Sequence, residues 1–168
     1  MKRWTKGLRL AGLAGGVGAI ALAGCLSASS AIAQVLVPAD SESATLSEQG
    51  VQFAGTTGGE YSLIRLSGRD RRRRLCLGYG NEKPDHVLIL AEEMNRLSVS
   101  VMSKGDTTLL VEGPRGIDCN DNYRRTSRDA AVEDGTWPAG TYRIWVGAFE
   151  RGVRIDYKLL VAEPGSDR

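Results

Sequence analysis

Thr141-Tyr142-Arg143-Ile144-Trp145-Val146-Gly147-Ala148-Phe149 is followed, across an Arg151-Gly152 turn, by Val153-Arg154-Ile155-Asp156-Tyr157-Lys158-Leu159-Leu160-Val161-Ala162. In the first run Tyr142, Ile144 and Val146 share one face, with Arg143 and Trp145 on the other. In the second, Ile155, Tyr157, Leu159 and Val161 alternate with Arg154, Asp156 and Lys158. Successive side chains of a strand point to opposite faces, so a period of two marks half-buried strands. Moving toward the N-terminus, the same alternation recurs in Leu97-Ser98-Val99-Ser100-Val101, inside a candidate strand Arg96–Met102. Thr107–Glu112, His86–Ala91 and Glu60–Leu66 are further candidates. Turn residues separate them: Lys104-Gly105-Asp106, Gly113-Pro114 and Pro138-Ala139-Gly140. Many short strands with regular turns and no long helical period predict an all-β fold, an antiparallel β-sandwich of jelly-roll-like form.

The N-terminus has a different character. Lys2, Arg3, Lys6 and Arg9 precede any acidic residue, and an apolar Gly/Ala-rich stretch runs from Leu10 to Leu26. Spanning a bilayer takes about 20 apolar residues, and a cationic start with a short apolar core and a small-residue exit marks a secretory signal. Two exits compete. Ala31-Ile32-Ala33 before Gln34 fits ordinary cleavage, giving a signal peptide over residues 1–33. Leu22-Ala23-Gly24-Cys25 looks like a bacterial lipobox, giving a signal over 1–24 and a lipidated Cys25 that tethers the domain to a membrane. Residues 34–58 read as a linker, rich in Ser, Ala and Glu up to residue 50. The β-sandwich domain is expected over 59–163, with a tail at 164–168.

Export alters the charge and the cysteine count. The whole chain has 22 basic and 20 acidic residues, but four of the basic ones lie in the signal, leaving 18 against 20, or −2. A mature chain of that sign, in an envelope compartment, disfavours nucleic acid as a partner. With Cys25 lipidated or removed, Cys76 and Cys119 remain in an oxidising compartment, and a disulfide between them is the default expectation over two free thiols or a metal pair.

Several residues are candidates for chemistry. Asp106, Asp118, Asn120, Asp121 and Asn122 are hard oxygen donors of the kind Ca²⁺ takes from loops; equally, they are residues that close turns by bonding their own backbone. Arg69, Arg71, Arg72, Arg73 and Arg74, broken only by Asp70, form a basic run suited to phosphate or carboxylate, or else a solvated loop. Trp145 stands opposite the core-facing Tyr142 and is the aromatic best placed for a ligand contact. Catalysis has little support. His86 is the one histidine, no Gly-x-Ser-x-Gly elbow occurs, and the adjacent Glu92 and Glu93 point to opposite faces of a strand.

Pro84-Asp85-His86, Asp106-Thr107-Thr108-Leu109-Leu110-Val111, Gly113-Pro114, Cys119-Asn120-Asp121, Ala139-Gly140-Thr141-Tyr142-Arg143-Ile144-Trp145-Val146-Gly147 and Tyr157-Lys158-Leu159 resemble the pattern of the bacterial pre-peptidase C-terminal (PPC) domain. The likeness covers roughly Tyr61 to Glu163. It implies a jelly-roll sandwich that serves as a secretion, targeting or binding appendage of hydrolases, in some cases with calcium. The family often carries two acids after Cys-Asn, whereas Asp121 is followed here by Asn122. The expectation is a stand-alone, non-catalytic binding module of the bacterial cell envelope, in the periplasm or outside the cell. Its partner is then an envelope protein, a glycan or an anionic surface. The alternative is an accessory domain for a separately encoded secreted peptidase or other hydrolase.

Overall fold

The structure, a computed structural model, describes the backbone of residues 42–45 and residues 50–124 and 126–164 in full. All of them belong to the unit Gln34–Arg168. The signal, the Cys25 and Ala33 exits, most of the stretch before residue 50 and the end of the tail lie outside the described residues.

Among the described residues eleven strands follow in order: β1 Glu42–Thr45, β2 Val51–Thr56, β3 Tyr61–Ser62, β4 Tyr79–Gly80, β5 His86–Leu90, β6 Leu97–Ser103, β7 Thr107–Gly113, β8 Gly116–Asn120, β9 Ala131–Asp134, β10 Gly140–Ala148 and β11 Asp156–Ala162. They form two sheets. In the larger, β10 is central: its first half pairs with β5, its end with β4, and its other edge with β7, which carries β8 outside it. β3 extends β4, and β1 adds to β5 as the one parallel pair among the described residues. The smaller sheet runs β2-β11-β6-β9. The expected all-β, antiparallel sandwich is the fold, and Cys76 and Cys119 form its disulfide.

The alternation that marked β10 and β11 is what builds the core between the sheets. Tyr142, Ile144 and Val146 meet Tyr157, Leu159 and Val161, with Leu88, Leu109, Val99 and Trp137 packed among them. Across the smaller sheet the register lines up Phe53, Leu159 and Val101 in one row and Val51, Val161, Val99 and Val132 in the next. Apart from the half-buried Val51 these side chains are buried, each contributing about 1.5–3 kcal/mol, and the rows fix register, because a one-residue slip turns every one of them to water.

Three expectations change. Val51–Thr56 falls in the stretch read as a linker, yet it is a strand of the smaller sheet and places Phe53 in the core. Its short Val-x-Phe alternation is masked by Gly50, Gly55 and small polar neighbours. Glu60–Leu66 is a strand for Tyr61–Ser62 alone; the chain then turns through a 3-10 segment, Leu63–Arg65, that drops Leu63 into a second apolar cluster. β8 and β9 were not expected, since Asp118, Glu133 and Asp134 are residue types that strands disfavour.

Candidate functional site

Between β3 and β4 the chain makes a long excursion, 63–78, on the outer side of the larger sheet. It is a closed hairpin. The Leu63 amide donates to the Gly78 carbonyl, Arg69 bridges Leu75, and the Asp70 amide donates to the Arg74 carbonyl, each hydrogen bond within 3.0 Å. Gly78 has φ 100°, a left-handed conformation that suits glycine where the excursion turns back into β4. Cys76 ties its foot to β8 through the disulfide.

The basic run forms the tip. Asp70 is buried and organises it, accepting from the Arg72 amide at 2.9 Å, the Arg74 amide at 2.8 Å and Arg74 Nε at 2.7 Å. Burial alone raises the Asp70 carboxyl, but the Arg74 backbone and guanidinium and the Arg72 amide outweigh it and hold its pKa below the ordinary value. Arg73 takes φ 66° at the turn, and its carbonyl accepts from Arg69 Nη1 at 2.7 Å.

Under the tip lies an ionic cluster. Arg71 Nε donates to both Asp118 oxygens at 3.0 Å, and Arg115 Nη2 lies 2.8 Å from Asp118. Arg71, Arg72 and Arg115 all pair with Asp134, Arg72 at 2.7 Å and Arg115 at 3.3 Å. The Arg115 guanidinium also lies over the Trp137 ring, 3.4 Å from its centroid. Asp118 is 1% exposed and the Arg115 side chain 7%, so both charges are stable only through this mutual pairing. Burial lowers the Arg115 pKa and Asp118 raises it again; a guanidinium stays charged throughout.

The cluster has a structural origin. Asp118 comes from β8, the edge of one sheet, and Asp134 from β9, the edge of the other. The Arg71 amide adds a hydrogen bond to the Ile117 carbonyl on the outer edge of β8, and Asn120 Oδ1 accepts from the Ala131 amide of β9. The excursion therefore covers an edge strand that is otherwise open to pairing, and the guanidiniums staple the two sheets. Sequence reasoning missed Arg115 and Asp134. Arg115 is a single charge in a turn and Asp134 ends a strand beside Glu133, with no spacing to join either to Arg71.

The possible calcium ligands are dispersed among other tasks. Asp118 serves the guanidiniums, and Asn120 bonds backbone. Asp106 lies in the β6–β7 turn, where its carbonyl accepts from the Phe149 amide, and Asp121 and Asn122 follow β8. Among the described residues no three His, Cys, Asp or Glu side chains gather as a metal site. Trp145 is corrected: at 5% exposed, it is covered by Leu63, Leu110 and the Cys76–Cys119 pair rather than offered to a ligand.

His86 is buried where the two sheets meet. Its Nε2 shares a hydrogen bond of 2.9 Å with the Tyr157 hydroxyl, and its ring stacks on Phe53 at 4.6 Å. Burial pushes its pKa down to about 4. Beside it, Asp85 accepts from the Val146 amide and from Asn81, yet burial still raises its carboxyl. A shallow cleft of about 540 Å³ adjoins this pair, lined by Thr56, Asn81, Glu82, Lys83 and Asp85.

No family model matches the chain. It is similar to an uncharacterized protein of Synechococcus elongatus, 36% identical over 75 residues, which are 43% of this chain and 54% of that protein. The chain thus spans about half the length of the curated relative it matches. Among solved structures it is similar to the pre-peptidase C-terminal domain of a collagenase from Bacillus anthracis, at 11% identity and a TM-score of 0.44, covering 74% of this chain and 97% of that one.

Proposed function

We propose that this chain is a non-catalytic, anion-binding module of the bacterial cell envelope, PPC-like in type. The observation that carries the reading is the 63–78 excursion, with six arginines and one acid. Its base is fixed by Asp70, Asp118, Asp134 and a disulfide, while the residues Arg69, Arg72, Arg73 and Arg74 stay exposed at its tip. A planar guanidinium takes phosphate, sulfate or carboxylate through paired hydrogen bonds. Holding several in place beforehand lowers the ordering cost of binding. The secretory character of residues 1–33 and the Cys76–Cys119 bond support an exported location, where the anions on offer are surface polymers and lipid headgroups.

Binding to dextran sulfate, followed by calorimetry over a salt series, tests this. The variant Arg69→Gln/Arg73→Asn spares the arginines paired to Asp118 and Asp134, and asparagine tolerates the left-handed backbone at 73. Affinity is expected to fall with salt and to drop about tenfold or more in the variant, two contacts at roughly 1 kcal/mol each being lost. Equal affinity of the two proteins refutes the assignment of the site.

A further inference from the structure

We propose that the anion this surface reads is the headgroup layer of an anionic lipid bilayer, into which the excursion inserts Ile64, Leu75 and Leu77. The proposal rests on the anion-binding reading above and names its partner.

The first observation is apolar exposure in an unusual place. Ile64, Leu75 and Leu77 are 44%, 47% and 38% exposed, three of the seven large hydrophobic residues left at the surface among those described, and all three belong to the excursion. Leu75 and Leu77 flank the buried Cys76 in extended chain, so the alternation that turns the cysteine inward turns both leucines outward. Leu75 follows Arg74 directly, Leu77 lies two residues further on, and Ile64 precedes Arg65. Aliphatic side chains interleaved with arginines make a surface that is apolar and cationic together.

The second observation is charge segregation. The excursion carries six arginines against one acid, a net of +5. The rest of residues 34–168 carry 12 basic and 19 acidic residues, a net of −7. Such a chain approaches a negative surface with this one element foremost, since the remainder is repelled. The paired acids Asp70, Asp118 and Asp134 are held beneath the tip rather than displayed on it.

These two facts choose among anionic partners. A charged glycan satisfies the guanidiniums but gives the leucines nothing to enter. An acidic protein surface requires a complementary apolar pocket. A bilayer interface supplies both, headgroup phosphates at the level of the arginines and acyl chains just below. Arginine also suits this position because its long stem lies along apolar surface while the guanidinium stays in the polar layer.

The test is vesicle partitioning of the full chain. Vesicles of phosphatidylcholine alone give the uncharged background and vesicles containing phosphatidylglycerol give the signal; the four cations of residues 1–33 add equally in every protein compared, so the difference between wild type and variant reads the excursion. Dextran sulfate provides a polyanion with no apolar phase. Partitioning is expected to rise strongly with phosphatidylglycerol. Leu75→Ser/Leu77→Ser is expected to lose about tenfold of it, from reduced apolar burial, with affinity for dextran sulfate unchanged. Arg69→Gln/Arg73→Asn is expected to weaken both, by about fivefold per arginine on vesicles at roughly 1 kcal/mol each. Both leucines are already exposed, and near-ultraviolet circular dichroism of the buried tryptophans verifies that the variants fold. Undiminished vesicle binding by the leucine variant overturns the insertion. Binding to dextran sulfate without enrichment on phosphatidylglycerol vesicles overturns the membrane partner and leaves the anion site standing. Binding to neither overturns both.

Discussion

Acidification acts on this fold through His86. The ring is buried between Phe53 and Tyr157, at a point where β5 of one sheet reaches β2 and β11 of the other. Its pKa is about 4 in the folded chain, against about 6.5 for an exposed imidazole, because burial penalises the charged form. A depressed folded value means that the unfolded chain takes the proton first. The stabilisation is therefore complete above pH 6.5 and is lost as pH falls toward 4. One pKa unit corresponds to about 1.4 kcal/mol, so the loss reaches about 2 kcal/mol by pH 5 and about 3 kcal/mol by pH 4. No other histidine is present to blur that window. The Asp85 carboxyl, raised by burial, works with the opposite sign, since the folded state takes its proton more readily. Its contribution is common to wild type and His86→Gln, so the difference between the two isolates the imidazole. Urea unfolding of both proteins from about pH 7.5 to about pH 4, the range in which imidazole titrates, is the assay. The wild type is expected to lose stability steeply below about pH 6.5, with the variant nearly flat until its carboxylates titrate. Parallel curves for the two proteins refute the reasoning, whatever their absolute stabilities.

The ionic cluster predicts an asymmetry: Asp118→Ala takes the nearest carboxylate from the buried Arg115, leaving it Asp134 at 3.3 Å, and removes both acceptors of Arg71 Nε, and is expected to cost about 3–5 kcal/mol, whereas Arg115→Met leaves Asp118 its two bonds from Arg71 and costs less. Urea midpoints of both variants measure it, and equal losses argue against Arg71 as a sufficient partner. Trp145→Ala opens a cavity beneath the excursion and is expected to cost about 3–5 kcal/mol in the same assay. Reduction of Cys76–Cys119, which closes a separation of 43 residues, is expected to cost about 3–4 kcal/mol and to lower the midpoint without abolishing the sandwich.

The parts of the fold that were legible are those whose reason lies within the strand. β10 and β11 announce themselves because Tyr142, Ile144, Val146, Tyr157, Leu159 and Val161 alternate with polar or outward residues, and the core requires that alternation. β8 and β9 gave no such signal. Asp118 and Asp134 make them look like loop; they are strands by pairing with β7 and β6, and the guanidiniums of Arg71 and Arg115 meet their charges, tertiary facts that local pattern cannot contain. Trp145 shows a related limit. Its placement opposite Tyr142 follows from the sequence, but alternation assigns a side chain to a face without saying what covers that face. Here Leu63 and the disulfide cover it, because the excursion folds back over the larger sheet. The arginine run is legible as a cluster of cations, while the means of fixing it, Asp70 apart, lies some 45 to 65 residues further on in the chain, at Asp118 and Asp134.

Fold and surface meet in that excursion, and its arginines divide accordingly. A run of four consecutive like charges repels itself, and left alone it disperses into solvent at the cost of any defined shape. Three are restrained from below: Arg74 by Asp70, Arg71 by Asp118, and Arg72 by Asp134. Those carboxylates are needed in any case, since two sheet edges must be closed where β8 and β9 approach. The contacts that complete the sandwich are thus the same ones that orient the tip, and no separate device is required to present Arg69, Arg73, Leu75 and Leu77. It follows that Arg71 belongs to the fold and Arg73 to the surface, although two positions apart. Replacing Arg71 disturbs edge closure and alters unfolding and binding together, while replacing Arg73 leaves the unfolding midpoint where it was and changes binding alone.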